Sequence, residues 1–233
     1  MQIMLTVKDL IVEYPDGTRA VDGVCFSLDA GESVALIGAN GAGKTSLLLA
    51  LVGVLPAAAG EVYLGDTLLD KKNLREIRSR IGLVFQNPDD QLFMPNIFED
   101  IAFGPRNFGC DEEETGKRVD SALSGLGIRH LSGKSPLKLS GGEKRLAAVA
   151  TVLAMQPDYL LFDEPSAFLD PRARRNLVKI VSELPQGKII ATHDLAFAAE
   201  TCSRVLLLQN GKLAADEGKG LLYDTAALEA AGL

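Results

Sequence analysis

An α/β fold is predicted: a mainly parallel sheet with crossover helices, an antiparallel β segment ahead of it and a helical segment inserted into it. Three observations carry this. Ser33-Val34-Ala35-Leu36-Ile37 is a short apolar run that passes directly into glycines and then into Lys44–Val52, good helix formers apart from Thr45 and Ser46. Tyr159-Leu160-Leu161-Phe162 and Lys188-Ile189-Ile190-Ala191-Thr192 are apolar runs of strand length on either side of a helical stretch at Arg172–Leu184, the pattern of parallel strands buried on both faces. Residues 87–156, in contrast, read as mostly helical.

In chain order, the opening segment alternates Leu5 and Val7, then Leu10, Val12 and Tyr14, with polar residues. It turns at Pro15-Asp16-Gly17 and resumes alternating over Val21–Leu28, so antiparallel strands are expected. Strand character returns at Glu61-Val62-Tyr63-Leu64 and at Ile81-Gly82-Leu83-Val84-Phe85, with a charged stretch at Lys71–Arg80 between them. Within 87–156 come the Asn96–Phe103 stretch, a helix near Thr115–Leu126 and another over Gly142–Met155. The acidic run Asp111–Glu114 reads as a charge cluster at a helix start, where the helix dipole favours it. Arg204–Gln209, Asn210-Gly211 and Lys212–Ala215 form a closing hairpin, because Asn-Gly suits a two-residue turn. The division expected is a core of residues 1–86 and 157–233 with an inserted helical subdomain at 87–156.

With 233 residues, 47% hydrophobic and 24% charged, the chain suits one globular domain with a sizeable core. A formal net charge of −7 disfavours nucleic acid as a partner. Cys25, Cys110 and Cys202 show no CxxC spacing, which points to a reducing cytosol and away from a disulfide framework or zinc site. The N-terminus MQIMLTVKDL lacks the basic and apolar regions of a secretory signal. The longest mostly apolar stretch, Leu47–Ala59, contains Gly53 and Pro56 and falls short of the roughly 20 residues that a spanning helix needs. Any membrane-spanning part is expected to come from other subunits.

Gly38-Ala39-Asn40-Gly41-Ala42-Gly43-Lys44-Thr45 matches the phosphate-loop pattern, with the preceding strand and following helix that the pattern requires. Its glycines let backbone N–H groups converge on phosphate oxygens, and the helix that begins near Gly43 and runs through Ser46 directs its positive end at the same charge. Lys44 adds a full cation, and the Thr45 hydroxyl suits Mg²⁺. Asp163 and Glu164 follow an apolar strand directly, so both acids arrive at the mouth of a site, since open α/β sheets bind ligands outside the carboxyl ends of strands. Asp163 suits holding Mg²⁺ through water and Glu164 suits polarising an attacking water; the plainer alternative has them capping the next helix. His193 follows the strand at 188–192 and stands at the same edge as Glu164, where an imidazole can hydrogen-bond a γ-phosphate. Ser140 and Glu143 have the spacing of a capping box. A helix start of this kind, with Gly141 and Gly142, also exposes N–H donors for phosphate, so both readings stand. His130, in a polar loop, reads as solvated surface.

Leu139-Ser140-Gly141-Gly142-Glu143-Lys144-Arg145 resembles the signature sequence of ABC-type ATPases, and the family's other motifs follow in order over most of the chain. The resemblance implies a P-loop NTPase fold: a RecA-like parallel sheet core, an N-terminal antiparallel β subdomain and an inserted α-helical subdomain. It implies that the chain binds ATP with Mg²⁺ and hydrolyses it. In that family Tyr14 matches the aromatic residue that stacks on adenine, although a tyrosine beside a turn is by itself more often packing. Gln86 matches the glutamine that contacts Mg²⁺ and water, Ser166–Asp170 the loop linking two sites, and His193 the switch histidine. Thr45, Gln86 and Asp163 are then the metal-contacting residues, and Glu164 and His193 the catalytic ones. In the family two cassettes pair head to tail, which implies that Ser140, Gly142 and Glu143 act on ATP held by the phosphate loop of the other copy.

Gln86-Asn87-Pro88-Asp89-Asp90-Gln91-Leu92-Phe93, followed by Glu99-Asp100-Ile101-Ala102-Phe103-Gly104-Pro105, resembles the energy-coupling-factor class, whose members import transition metals or vitamins. The cobalt and nickel type is the first reading. It implies an ATPase held on the cytoplasmic face of the cell membrane by a transmembrane coupling subunit, with a substrate-binding membrane subunit and a second ATPase copy, identical or paralogous. Leu92, Phe93, Met94 and Phe98 either offer apolar contact to a coupling helix or fill the helical segment's own core. Two departures stand out. Phe168 occupies a position where the family usually has a small residue, and the chain stops at Leu233, short of the extension many members carry, so pairing is expected to depend more on ATP. The alternatives are a vitamin importer of the same class, a non-transport ABC ATPase acting on nucleic acid or ribosomes, and a P-loop kinase or GTPase. The second usually brings a coiled-coil insertion or a second cassette, and the third would lack the signature and the switch histidine.

Overall fold

A computed structural model describes residues 3–233; Met1 and Gln2 of the N-terminal segment lie outside them. The alternating segment forms β1 (Leu5–Glu13) and β2 (Arg19–Leu28), paired antiparallel. Next come β3 (Ser33–Ile37), α1 (Lys44–Leu51), β4 (Ala59–Leu64) and β5 (Thr67–Leu68). The charged stretch hides a short helix, α2 (Leu74–Arg80), which buries only Ile77 and so shows no apolar period in the sequence. After β6 (Ile81–Val84) the chain builds α3 (Ile97–Asn107), α4 (Glu112–Gly125) and α5 (Gly141–Leu153), then returns to the sheet as β7 (Tyr159–Asp163). It continues through α6 (Pro171–Glu183), β8 (Gly187–Ala191), α7 (Leu195–Thr201), β9 (Arg204–Gln209), β10 (Lys212–Gly218) and α8 (Thr225–Ala230). The helices α7 and α8 were not expected; they are too short to display a period.

Two sheets result. The smaller has the order β2-β1-β4-β5 and is antiparallel; the larger has the order β10-β9-β3-β8-β7-β6. Pairing in the larger sheet is parallel from β9 to β6, and only the hairpin strand β10 runs antiparallel. Asn210 and Gly211 turn that hairpin with positive φ, 49° and 77°, the backbone that a tight two-residue turn requires.

Strand alternation sorts the core into two layers. Val34, Leu36, Tyr159, Leu161, Leu206 and Leu208 face α1 and the antiparallel sheet, whereas Ala35, Ile37, Leu160, Phe162, Val205 and Leu207 face the helices that follow β6. Leu47, Leu48 and Leu51 of α1 are fully buried in the first layer, each worth about 1.5–3 kcal/mol of burial. Side-chain caps fix where the helices start: Asn96, Asp111, Ser140, Asp170 and Asp194 each accept a backbone N–H of the first turn, contributions of about 0.5–2 kcal/mol apiece. Asp111 confirms the acidic run as a helix start. No helix among the described residues is long and apolar enough to cross a membrane.

Candidate active site

Four adjacent parallel strands deliver their following residues to one edge. From β3 comes the Gly38–Thr45 loop, from β8 Thr192 and His193, from β7 Glu164, and from β6 Phe85 and Gln86.

The loop's shape depends on glycine at two points. Gly43, the N-cap of α1, has φ 106°, and a Cβ there would stand 2.0 Å from the Ala20 carbonyl oxygen. At Gly38 a Cβ would stand 2.2 Å from the Leu208 carbonyl oxygen. Lys44 is buried, and its Nζ donates to the carbonyl oxygens of Gly38 (2.7 Å) and Ala39 (3.1 Å). Burial pulls the Lys44 ammonium below its ordinary pKa, while the carboxylates of Glu164 and Asp163 resist that pull.

Thr45 Oγ1 donates to Asp163 Oδ2 at 2.9 Å. The other oxygen, Asp163 Oδ1, is buried with no partner among the described residues. Burial raises the pKa of this carboxyl, and the Thr45 hydrogen bond opposes the rise. A buried carboxylate oxygen lacking a donor, beside a hydroxyl, is a donor set of the hard-oxygen kind that Mg²⁺ takes, so Thr45 and Asp163 fit that ion. Gln86 is exposed at the neighbouring strand end.

Glu164 has φ 44°, a backbone conformation that costs roughly 1–3 kcal/mol for a non-glycine residue and concentrates at functional sites. Its Oε2 accepts from Thr192 Oγ1 (3.2 Å) and from the backbone N–H of His193 (3.3 Å), and His193 Nδ1 lies 2.9 Å from the same oxygen. Tyr14 Oη and Ser46 Oγ share a hydrogen bond of 2.9 Å, which ties the start of the β1–β2 turn to α1 and leaves the ring partly exposed. Tyr14, Asn40, Gly41, Gly43, Lys44, Thr45, Ser46, Gln86, Glu164 and His193 line one open cavity of about 500 Å³. Gly38 and Ala42 shape the loop but do not line the cavity.

Ser140, Gly142 and Glu143 are not brought to this cavity. They line a second one, about 700 Å³, with His130, Leu169 and Asp170. The capping box is formed: Glu143 Oε2 accepts the Ser140 N–H at 2.8 Å and Ser140 Oγ accepts the Glu143 N–H at 3.4 Å. The Ser140 N–H holds the Glu143 carboxyl below its usual range. Gly141 and Gly142, in the first turn, have N–H groups with no acceptor within the helix.

Sequence reading missed the groups that pin this edge. Arg145 is 1% exposed and donates through Nη1 to the Phe85 carbonyl oxygen and through Nη2 to that of Gln86, both at 2.7 Å. Burial draws its guanidinium down to about 10. Gln91 completes the clasp, accepting the Phe85 N–H and donating to Ala148 O and Thr151 Oγ1 on α5. The available signal was Arg145 standing at helical spacing from the buried Ala148, Val149 and Val152. Arg145→Met is expected to roughly keep the volume and strip two part-buried carbonyl oxygens of their donors, destabilising by about 2–4 kcal/mol. Thermal unfolding should fall by roughly 5–12 °C, and an unchanged midpoint would mean that water reaches these carbonyls.

A second clasp holds the residue after His193. Arg174 donates to both oxygens of Asp194 (2.9 and 3.1 Å), and Ser166 Oγ donates to Oδ2 at 3.1 Å. Burial alone would raise the Asp194 carboxyl, but these bonds and the Phe197 N–H bring it below its ordinary value.

On the helical side, Leu92 is buried and Phe98 packs against the core, so these two fill the interior. Phe93 is 63% exposed and meets Phe103 edge to face, centroids 5.1 Å apart. Asp100 Oδ1 accepts the N–H groups of Phe93 and Met94, both at 2.9 Å, and so fixes how that ring is presented.

The ABC transporter family model matches residues 21–167, more than half of the chain. The chain belongs to that family. The energy-coupling factor transporter ATP-binding protein EcfA of Carboxydothermus hydrogenoformans is 42% identical over 236 residues, 100% of this chain and 87% of that protein. EcfA of Methanocaldococcus jannaschii is 43% identical over 215 residues, 90% of this chain and 77% of that protein. Among solved structures, CbiO1 from Clostridium perfringens, described as part of the ABC transporter complex cbiONQ, matches with a TM-score of 0.86 and 35% identity, covering 97% of this chain and 93% of that one. A dimeric ATP-binding cassette in a post-hydrolysis state, bound to ADP and Pi, matches with a TM-score of 0.82 and 25% identity over 92% of this chain and 98% of that one. This ABC cassette is thus an ATP-binding subunit of the energy-coupling-factor type, an ATPase whose hydrolysis drives transport. The α/β fold with its antiparallel N-terminal sheet agrees with the expected one.

Proposed function

We propose that this ABC cassette works as one of a pair of ATPases on the cytoplasmic face of the cell membrane and powers an importer of cobalt or nickel ions. The observation that carries the pairing is the separation of two half-sites. The phosphate-loop cavity holds Lys44, Thr45, Glu164 and His193, while Ser140, Gly142 and Glu143 line a different cavity of the same chain. A partner's helix start can supply the missing donors to bound ATP.

In this reading Tyr14 stacks on adenine, and the N–H groups of Gly38 to Ser46, with Lys44, hold the phosphates. Glu164 orients and polarises the attacking water, and His193 hydrogen-bonds the γ-phosphate. Thr45, Asp163 and Gln86 would hold Mg²⁺, which neutralises charge developing on the phosphoryl oxygens. Residues 87–156 act as a helical unit against the core of 1–86 and 157–233. A transmembrane coupling subunit docks near Phe93, Met94 and Phe103, and a separate membrane subunit selects the cargo. The metal reading rests on the Gln86–Phe93 and Glu99–Pro105 resemblance; a vitamin is the second reading.

The test is uptake in vesicles holding this chain with its membrane partners. ATP-dependent entry of labelled cobalt or nickel is expected, and entry of a vitamin with no metal entry would replace the cargo. Phe93→Asp should cut uptake by about 10-fold or more, a hot-spot loss, while basal ATPase stays within about twofold. Unaltered uptake in that variant would remove Phe93 from the coupling surface.

A further inference from the structure

The loop from Ser166 to Asp170 is anchored on both sides of Phe168. Ser166 Oγ donates to Asp194, and the Ala167 N–H donates to the Glu164 carbonyl oxygen at 3.1 Å. Beyond it, the Leu169 N–H donates to Ser166 O at 3.3 Å, the Leu169 side chain packs against the core, and Asp170 caps α6. The Phe168 side chain is left outside. Its φ is 61°, the left-handed region that disfavours a bulky side chain, and its ring is 94% exposed, the most exposed large apolar side chain among the described residues. Glycine would relieve the backbone and a polar residue would suit the solvent. Within the chain neither the strain nor the exposure is offset.

We propose that Phe168 is a pairing anchor whose ring buries against the same loop of a second copy of this chain. The inference rests on the two-half-site reading above and assigns it a residue. The loop runs from Glu164, which lines the phosphate-loop cavity, to Leu169 and Asp170, which line the signature cavity. When each half-site of one copy faces the complementary half of the other, the segments that join the halves must cross at the two-fold axis. Phe168 then meets its own symmetry mate's loop in an isologous contact. An aromatic ring presented at the centre of an interface on a fixed loop is the kind of residue that carries a large share of binding. The anchored neighbours hold the ring in its paired position beforehand, so little freedom is lost on contact.

The experiment compares Glu164→Gln with Glu164→Gln/Phe168→Gly and Glu164→Gln/Phe168→Tyr by sedimentation across a concentration series with ATP and Mg²⁺. The parent and the tyrosine variant are expected to pair, and the glycine variant to pair on the order of 30-fold more weakly. The glycine variant should bind labelled ATP like the parent and melt at or above its temperature, because glycine accepts the positive φ. Equal pairing of the parent and the glycine variant overturns the anchor and leaves the two-half-site reading standing. No ATP-dependent pairing of Glu164→Gln itself overturns both. Lost transport in Phe168→Gly with pairing unchanged assigns the ring to a membrane subunit and overturns the proposal.

Discussion

Glu164→Gln is expected to bind ATP, to accumulate as a pair in its presence, and to turn over about 10²–10⁴-fold more slowly, the usual reach of general-base catalysis. The geometry makes this a clean substitution. Glu164 Oε2 accepts from Thr192 Oγ1 and from the His193 backbone N–H, with His193 Nδ1 2.9 Å away. An amide oxygen accepts the same set, so glutamine keeps its place at φ 44° and loses only the basicity. Single-turnover hydrolysis and sedimentation with ATP check both halves of the expectation. Unchanged turnover would remove Glu164 from the base role, and slow turnover without pairing would point to a site complete in one chain.

The Gly38–Thr45 loop between its strand and helix was legible because its pattern is local. Glycines, lysine and threonine sit within a few residues, and the flanking strand and helix have their own periods. The edge residues Asp163, Glu164 and His193 were legible for a related reason: each follows an apolar run that can only be a buried strand, and strand ends converge. Arg145 was not legible, because its partners are backbone carbonyl oxygens at Phe85 and Gln86, which no residue type announces. Asp194 escaped in the same way, since its bond to Arg174 crosses from α7 to α6. Ser140 and Glu143 kept two readings in sequence, and the folded chain realises the cap while leaving the first-turn N–H groups of Gly141 and Gly142 for another acceptor. Phe168 was visible as an oddity of size, but its left-handed backbone and full exposure appear only in the fold.

Lys44→Ala is expected to abolish nucleotide binding at ordinary concentrations, lowering affinity by about 10³-fold. A lysine and a phosphate charge at about 4 Å and an effective dielectric near 20 attract by about 4 kcal/mol, and each 1.4 kcal/mol is tenfold. Desolvation normally erodes such a figure. Here much of that cost has already been met in folding, because Lys44 is buried and its ammonium rests on the carbonyl oxygens of Gly38 and Ala39. The lowered pKa of Lys44 expresses the same fact: the folded chain holds this charge at some cost. Removing it should therefore harm binding far more than stability. Lys44→Met separates the two, since its unbranched stem fills the same space without the charge. It strips the Gly38 and Ala39 carbonyl oxygens of their donor but also removes a charge that the fold holds at a cost. It should therefore melt within a few degrees of the parent while losing nucleotide affinity as severely as alanine, as read by calorimetry with ATP. Normal affinity in either variant would take the phosphates away from Gly38–Thr45; loss of affinity in alanine alone would assign the effect to collapse of the loop rather than to the missing charge.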